Sequence, residues 1–130
     1  MATIKRAFAA LAQIIGSGDG YVTLSGTTES FSSDVDLETN GYDGSHVIVE
    51  VNFDSTPTDD VEVAIYGSLD GSNYDDTPIF SQQIDKDTDP NQISLVIKDL
   101  LHFRIGVKQT GSTDSHDVRA YVQSWNYSSV

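Results

Sequence analysis

The sequence predicts an all-β chain: an antiparallel β-sandwich of jelly-roll or immunoglobulin-like type, about eight strands, with a short N-terminal arm or helix. Three observations predict it. Apolar and polar residues alternate through five stretches after Gly20, the period that sends successive side chains to opposite faces of a strand. Turn dipeptides built on Gly fall between these stretches, and Gly accepts the positive φ of tight turns. No stretch with helical spacing follows Gly20. Short strands at regular intervals with no helices between them indicate a sandwich.

The N-terminal segment differs from the rest. Lys5 and Arg6 precede an apolar run from Ala7 to Ile15, and Gly16-Ser17-Gly18 follows. A basic start, an apolar run and small residues outline a secretory signal, but Gln13 interrupts a run that is already short. It is also too short to span a bilayer. Ile4, Phe8, Leu11 and Ile15 recur at helical spacing, which predicts an amphipathic helix. An isolated helix of that length is marginal in water and must dock on something. Residues 1–18 are therefore expected to form a docking arm, and residues 19–130 a single sandwich domain.

Within that domain, Tyr21 to Leu24 and Phe31 to Leu37 read as short strands. Asn40-Gly41 and Asp43-Gly44 then mark turns. Val47, Val49, Val51 and Phe53 form one alternating run, and Val61, Val63 and Ile65 the next. Pro57 lies between them, and a proline lacks the N–H that a continued strand would need. Asp70-Gly71 turns the chain towards a short run at Pro78 to Ile84. Ile93, Leu95 and Ile97 follow, then Leu101, Phe103, Ile105 and Val107. Val118, Ala120 and Val122 form the last run, and the loop Thr110 to Asp117, built on Gly111, is expected to join the last two strands as a hairpin.

Composition excludes several function classes. The chain has 130 residues, 20 Asp plus Glu against 7 Lys plus Arg, and a net charge of −13. Phosphate binding runs on basic groups and released counterions, so neither nucleic acid nor an anionic membrane surface is an expected partner. The absence of cysteine excludes a disulfide scaffold, thiol catalysis and thiolate zinc sites. The charge is unevenly placed. From Ala7 to Asp85 there are 15 acids and no base, whereas Lys86 to Val130 holds 5 of each. The acidic part is expected to face water, and the arm and the neutral C-terminal third to supply contacts.

No catalytic signature stands out. Gly67-Ser68-Leu69-Asp70-Gly71 lacks the central Ser of a nucleophile elbow, and neither a P-loop nor a dinucleotide fingerprint occurs. His46, His102 and His116 fall on different strands or loops, so a metal trio is not expected, nor is any cofactor. Asp85, Asp87 and Asp89 place oxygens at alternate positions like the start of a calcium loop, a weak candidate. Pro90 and Val96 stand where such a loop needs Gly and a bidentate Glu. On the last strand, if Val118, Ala120 and Val122 face the core, Tyr121, Trp125 and Tyr127 share the opposite face. Exposed aromatics grouped in this way suit an interface or a sugar-stacking platform.

Several motifs together carry a resemblance. Val35-Asp36-Leu37-Glu38-Thr39-Asn40-Gly41-Tyr42-Asp43-Gly44, Ser55-Thr56-Pro57-Thr58-Asp59-Asp60-Val61 and Tyr66-Gly67-Ser68-Leu69-Asp70-Gly71-Ser72-Asn73-Tyr74 come first. His102-Phe103-Arg104-Ile105-Gly106-Val107-Lys108, Gly111-Ser112-Thr113-Asp114 and Trp125 follow. In these, from Phe31 to Trp125, the chain resembles small β-rich virion structural proteins of tailed bacteriophages, of the capsid decoration or cement type. The resemblance implies a non-enzymatic protein on the outer capsid surface of the virion. It also implies the major capsid protein as partner, homo-oligomers that are typically trimers, and stabilisation by bridging capsomers. The residues expected to make contacts are Ile4, Phe8, Leu11 and Ile15 in the arm, with Arg104, Lys108, Arg119, Tyr121 and Trp125 on the neutral surface. The alternatives are a carbohydrate-binding or adhesin sandwich, and a phage tail or fibre component.

Overall fold

The computed structural model describes residues 4–87 and 91–129, with side chains for 8–87 and 91–127. The described residues form eleven strands: β1 Ile4–Phe8, β2 Ala12–Ile15, β3 Val22–Thr23, β4 Ser30–Phe31, β5 Val35–Asp36, β6 Gly44–Asn52, β7 Val61–Ser68, β8 Phe80–Ile84, β9 Gln92–Lys98, β10 His102–Gln109 and β11 Asp117–Ser129. There is no helix among the described residues. All pairings between the strands are antiparallel. In one sheet β1, β2 and β3 lie in turn along one side of β11, and β6 and then β9 follow on its other side. In the second, β4 and β5 lie along β10, with β7 and β8 beyond. If β1–β3 count as one interrupted lane and β4–β5 as another, eight lanes run 1-8-3-6 in the first sheet and 2-7-4-5 in the second. That order is a jelly roll, two sheets closed over one core.

The core is built as the alternation predicts. Val47, Val49 and Val51 of β6 and Val118, Ala120 and Val122 of β11 are buried from one sheet. Val61, Val63 and Ile65 of β7 and Phe103, Ile105 and Val107 of β10 are buried from the other. Each fully buried side chain of this size contributes roughly 1.5–3 kcal/mol. The two central strands of each sheet supply much of the interior, and Ile15, Leu24, Leu37, Ile84, Leu95 and Ile97 from the outer strands and loops complete it.

Two expectations need correction. The N-terminal segment forms β1 and β2 rather than a helix. Its helical spacing arises because two short strands are separated by a break at residues 9–11. The flank of the 13-residue β11 offers it paired backbone groups, which a short isolated helix in water cannot match. Gln13, the residue that interrupts the apolar run, braces the turn after β2. Its amide donates to the carbonyls of Ile15 at 3.0 Å and Gly20 at 2.9 Å, and it accepts the Asp19 N–H at 2.8 Å. Asp19, Gly16 and Gly18 all take positive φ in that turn, so the small residues serve its geometry. The second correction concerns the last two strands. β10 and β11 lie in different sheets, so Thr110 to Asp117 crosses between sheets and does not close a hairpin.

Candidate interaction surface

The residues expected to make contacts do not share one surface. In the arm, Phe8 and Leu11 are 58% and 64% exposed, whereas Ile15 belongs to the core. Ile4 is paired through its backbone with Ser129 on β11; its side chain lies outside the description. Arg104 and Lys108 stand on β10 in the second sheet, while Arg119, Tyr121 and Trp125 stand on β11 in the first.

Each of these five has local work within the fold. The Arg104 guanidinium lies between two rings, 3.8 Å from the centre of Phe31 and 4.2 Å from that of Tyr74, where the ring faces attract its charge. Lys108 approaches Glu62, its cross-strand neighbour, at 3.9 Å. Arg119 pairs with Glu50 and donates to the Asp19 carbonyl at 2.6 Å. The Tyr121 hydroxyl donates to the Asp19 carboxylate at 2.7 Å. Arg119 and Tyr121 thus tie the turn after β2 to the end of the first sheet. Trp125 is only 3% exposed, so it drops out of the expected exposed aromatic face, whereas Tyr127 is exposed and Tyr121 partly so. The Trp125 ring lies over Gly44, the residue opposite it on β6: a Cβ at Gly44 would come 2.6 Å from Trp125 Cζ2. Period-two alternation predicts side, not cover, and nothing in the last strand announces Gly44, far upstream, as the residue beneath the ring.

The three histidines are also dispersed. His46 is exposed on β6. His116 is fully buried beneath the loops that follow β6 and β10. Its Nδ1 accepts the Asp54 N–H at 3.1 Å, and its Nε2 lies 2.9 Å from the Asp59 carbonyl. Ligand atoms of Asp54, Asp114 and His116 fall within 4.8 Å of one another. However, the two carboxylates address opposite ring nitrogens: Asp54 lies 3.9 Å from Nδ1 and Asp114 3.2 Å from Nε2. Both ring nitrogens already have backbone partners, which an ion would have to displace. The group is a clasp between loops. Asp59 accepts the N–H groups of Thr113 and Asp114, and Asp114 accepts those of Thr58 and Asp59. These N–H bonds, Asp59's first, hold the Asp114 carboxyl below the usual carboxylate range.

At the opposite end, His102 Nδ1 lies 2.8 Å from Asp34, with Asp36 at 3.8 Å and Glu38 at 3.7 Å from its ring nitrogens. The Asp34 hydrogen bond raises its pKa above the ordinary histidine value. Tyr74 also donates to Asp34, at 2.6 Å, and burial followed by that bond pushes its hydroxyl up to about 12. Beside this cluster an open cleft of about 470 Å³ is lined by Leu69, Asp70, Asn73, Tyr74, Asp99 and Leu101, among others. Asp70 is a turn residue: backbone N–H groups of Asn73 and Ser72 hold its carboxyl well below the usual range. In the calcium candidate, Asp85 accepts the Asp87 N–H at 2.8 Å and Asp87 pairs with Lys86 at 3.1 Å. Asp89 falls outside the described residues.

Most of the exposed apolar side chains lie elsewhere, at the open edges of the sheets, with Leu69 and Tyr127 apart from them. Phe8 and Leu11 lie on the lane formed by β1–β3. Ile79, Phe80 and Val96 lie on or beside β8 and β9, the edges on the other side, and Leu101 follows shortly after. A groove of about 270 Å³ runs between β8 and β9, lined by Ile65, Ile79, Phe80, Leu95, Val96 and Leu100 together with Ile97 and Lys98. This patch was not legible in advance. The alternation marks Ile93, Leu95 and Ile97 as core, and only the topology shows that their strand ends a sheet.

No protein-family model matches the chain, and no curated protein matches it. Among solved structures the chain is similar to the crystal structure of the Yersinia pseudotuberculosis-derived mitogen, at 14% identity and a TM-score of 0.46. That match covers 97% of this chain and 86% of the other.

Proposed function

We propose that this chain is a non-enzymatic structural protein of a tailed-bacteriophage virion that decorates the outer capsid surface. Its partners are the major capsid protein and further copies of itself. The reading rests on the sequence resemblance, and one structural observation supports it above others. A single sandwich carries exposed apolar side chains at opposite edges, Phe8 and Leu11 beside β1 and Val96 on β9. β1 and β9 are the two ends of the first sheet, three strand spacings or roughly 14 Å apart. A protein that bridges neighbours needs two grips on one rigid body, and apolar surface removed from water on both sides supplies the free energy. The acidic loops are suited to face solvent on the particle exterior, since they bring no basic groups to packaged DNA.

The geometry alters which residues act. Phe8 and Leu11 take the capsid-docking role, while Ile15 supports the fold, and Arg119 and Tyr121 hold a turn. The carbohydrate-binding alternative loses Trp125 from its stacking groups and keeps Tyr121 and the half-exposed Tyr127. Electron microscopy of intact purified particles with gold-labelled antibody against this protein tests the reading. Label spread over the shell is the expected result. Label confined to the tail, or the absence of the protein from particles, would overturn it.

A further inference from the structure

We propose that β9 is a self-pairing edge. Two copies of the chain join antiparallel along Gln92–Lys98, about a two-fold axis at Leu95, so that the first sheet continues from one copy into the other. Four observations lead there.

The first is the state of the edges. An open strand edge invites pairing, and proteins blunt such edges with short strands, bulges, prolines or charge. The lane β1–β3 is broken into three pieces with a register shift opposite Ala120 and Tyr121. The lane β4–β5 consists of two strands of two residues each. By contrast, β9 runs seven residues in unbroken register with β6 and contains no Pro or Gly.

The second is the direction of its backbone groups. Asn91 accepts the N–H of Val51, so Asn91 and, by alternation, Ile93, Leu95 and Ile97 turn their backbone groups to β6. Gln92, Ser94, Val96 and Lys98 turn theirs outward, where β9 has no further neighbour among the described residues.

The third is charge. Two copies of a chain carrying −13 repel each other wherever acid meets acid. The lane β4–β5 and its flanks present Glu29, Asp34, Asp36 and Glu38. Lys98 is the sole charge on β9 and β8 has none, the acids Asp85, Asp87 and Asp99 falling in the flanking loops. A second copy therefore meets no carboxylate on either strand at this edge, and this is the argument for a copy of the same chain as the occupant.

The fourth is register. A two-fold axis at Leu95 sets Gln92 opposite Lys98 and Ser94 opposite Val96, each outward-turned residue facing another. Ile93 then faces Ile97, and Leu95 faces its own copy, on the core side. Centring the axis on Ser94 or Val96 leaves residues of β9 unpaired. Val96 is 62% exposed, and the apolar groove between β8 and β9 is covered as the partner sheet passes it.

This inference rests on the same β9 edge that the virion reading uses as one grip and names a second copy as its occupant; it is tested on the purified chain, so it can fail while the location on particles stands. Sedimentation equilibrium of that chain at roughly 100 µM should give a dimer. Val96→Pro removes an outward N–H that β6 does not use, and Ser94→Asp sets a carboxylate at the junction on an exposed side chain. Each should raise the dimer dissociation constant roughly tenfold or more, with near-ultraviolet circular dichroism of the monomer unchanged. Leu11→Ser, at the far edge, should leave the dimer intact. A monomer at that concentration, a trimer, or a dimer indifferent to Ser94→Asp would overturn the proposal.

Discussion

His102 is buried against Asp34, with Asp36 and Glu38 near its ring, and this gives the fold a directed pH dependence. Its folded pKa lies above the unfolded value of about 6.5. The stability it contributes is therefore fully present below the unfolded pKa and is lost as pH rises through the folded pKa. Urea midpoints measured from about pH 5.5 to 8.5 should show the wild type losing its advantage over His102→Gln as pH rises. A constant difference across that range would show that the ring does not titrate with folding. Asp36, held low by Thr39 through a side-chain and a backbone hydrogen bond, has the opposite sign. Its contribution is present above the unfolded carboxylate pKa and is lost as pH falls through the folded one. None of this was legible in the sequence. His102 and Asp34 are 68 residues apart, and a lone histidine in an alternating run reads as one more polar outward residue.

At the scale of the element, strands were legible where each had one apolar face and a full run of alternation. β6, β7, β9, β10 and β11 all meet that condition. The N-terminal strands do not, because five residues in β1 and four in β2 give too few alternations to separate a period of two from 3.6. What a strand lies beside was not legible either, since β10 and β11 look like hairpin partners until the two sheets are seen to claim one each. The contact of β6 with β11 offers a sharp test. Gly44→Ala places a methyl where the would-be Cβ lies 2.6 Å from the Trp125 ring and 2.8 Å from the Ile97 carbonyl. Overpacking of this kind costs about 1–3 kcal/mol. The chain has a single Trp, so its emission reports that site alone. The expected result is a lower unfolding midpoint with emission shifted to the red. Unchanged emission and stability would mean that the indole does not sit on Gly44.

For the whole molecule, β8 carries no charge and β9 only Lys98, while acids stand in the loops and on β5, β6, β7 and β11. The jelly-roll order decides which edges are open, and so where apolar residues meet water. Phe8 and Leu11 are exposed, so replacing both with Ser should change stability by only about 0.5–1 kcal/mol. Binding to particles should fall at least tenfold by co-sedimentation under the capsid-docking reading. Binding equal to wild type would move that grip away from the N-terminal lane. The place of β11 has a temporal consequence as well. The first three strands pair only with the last one in sequence order, which also pairs with β6. During synthesis the early strands therefore wait on the ribosome without a partner until the final segment emerges, and long-range pairing of this kind is slow. The pairing of β6 with β9 can form earlier, but the first sheet is completed only after translation has reached β11, leaving β1–β3 to the care of chaperones in the meantime.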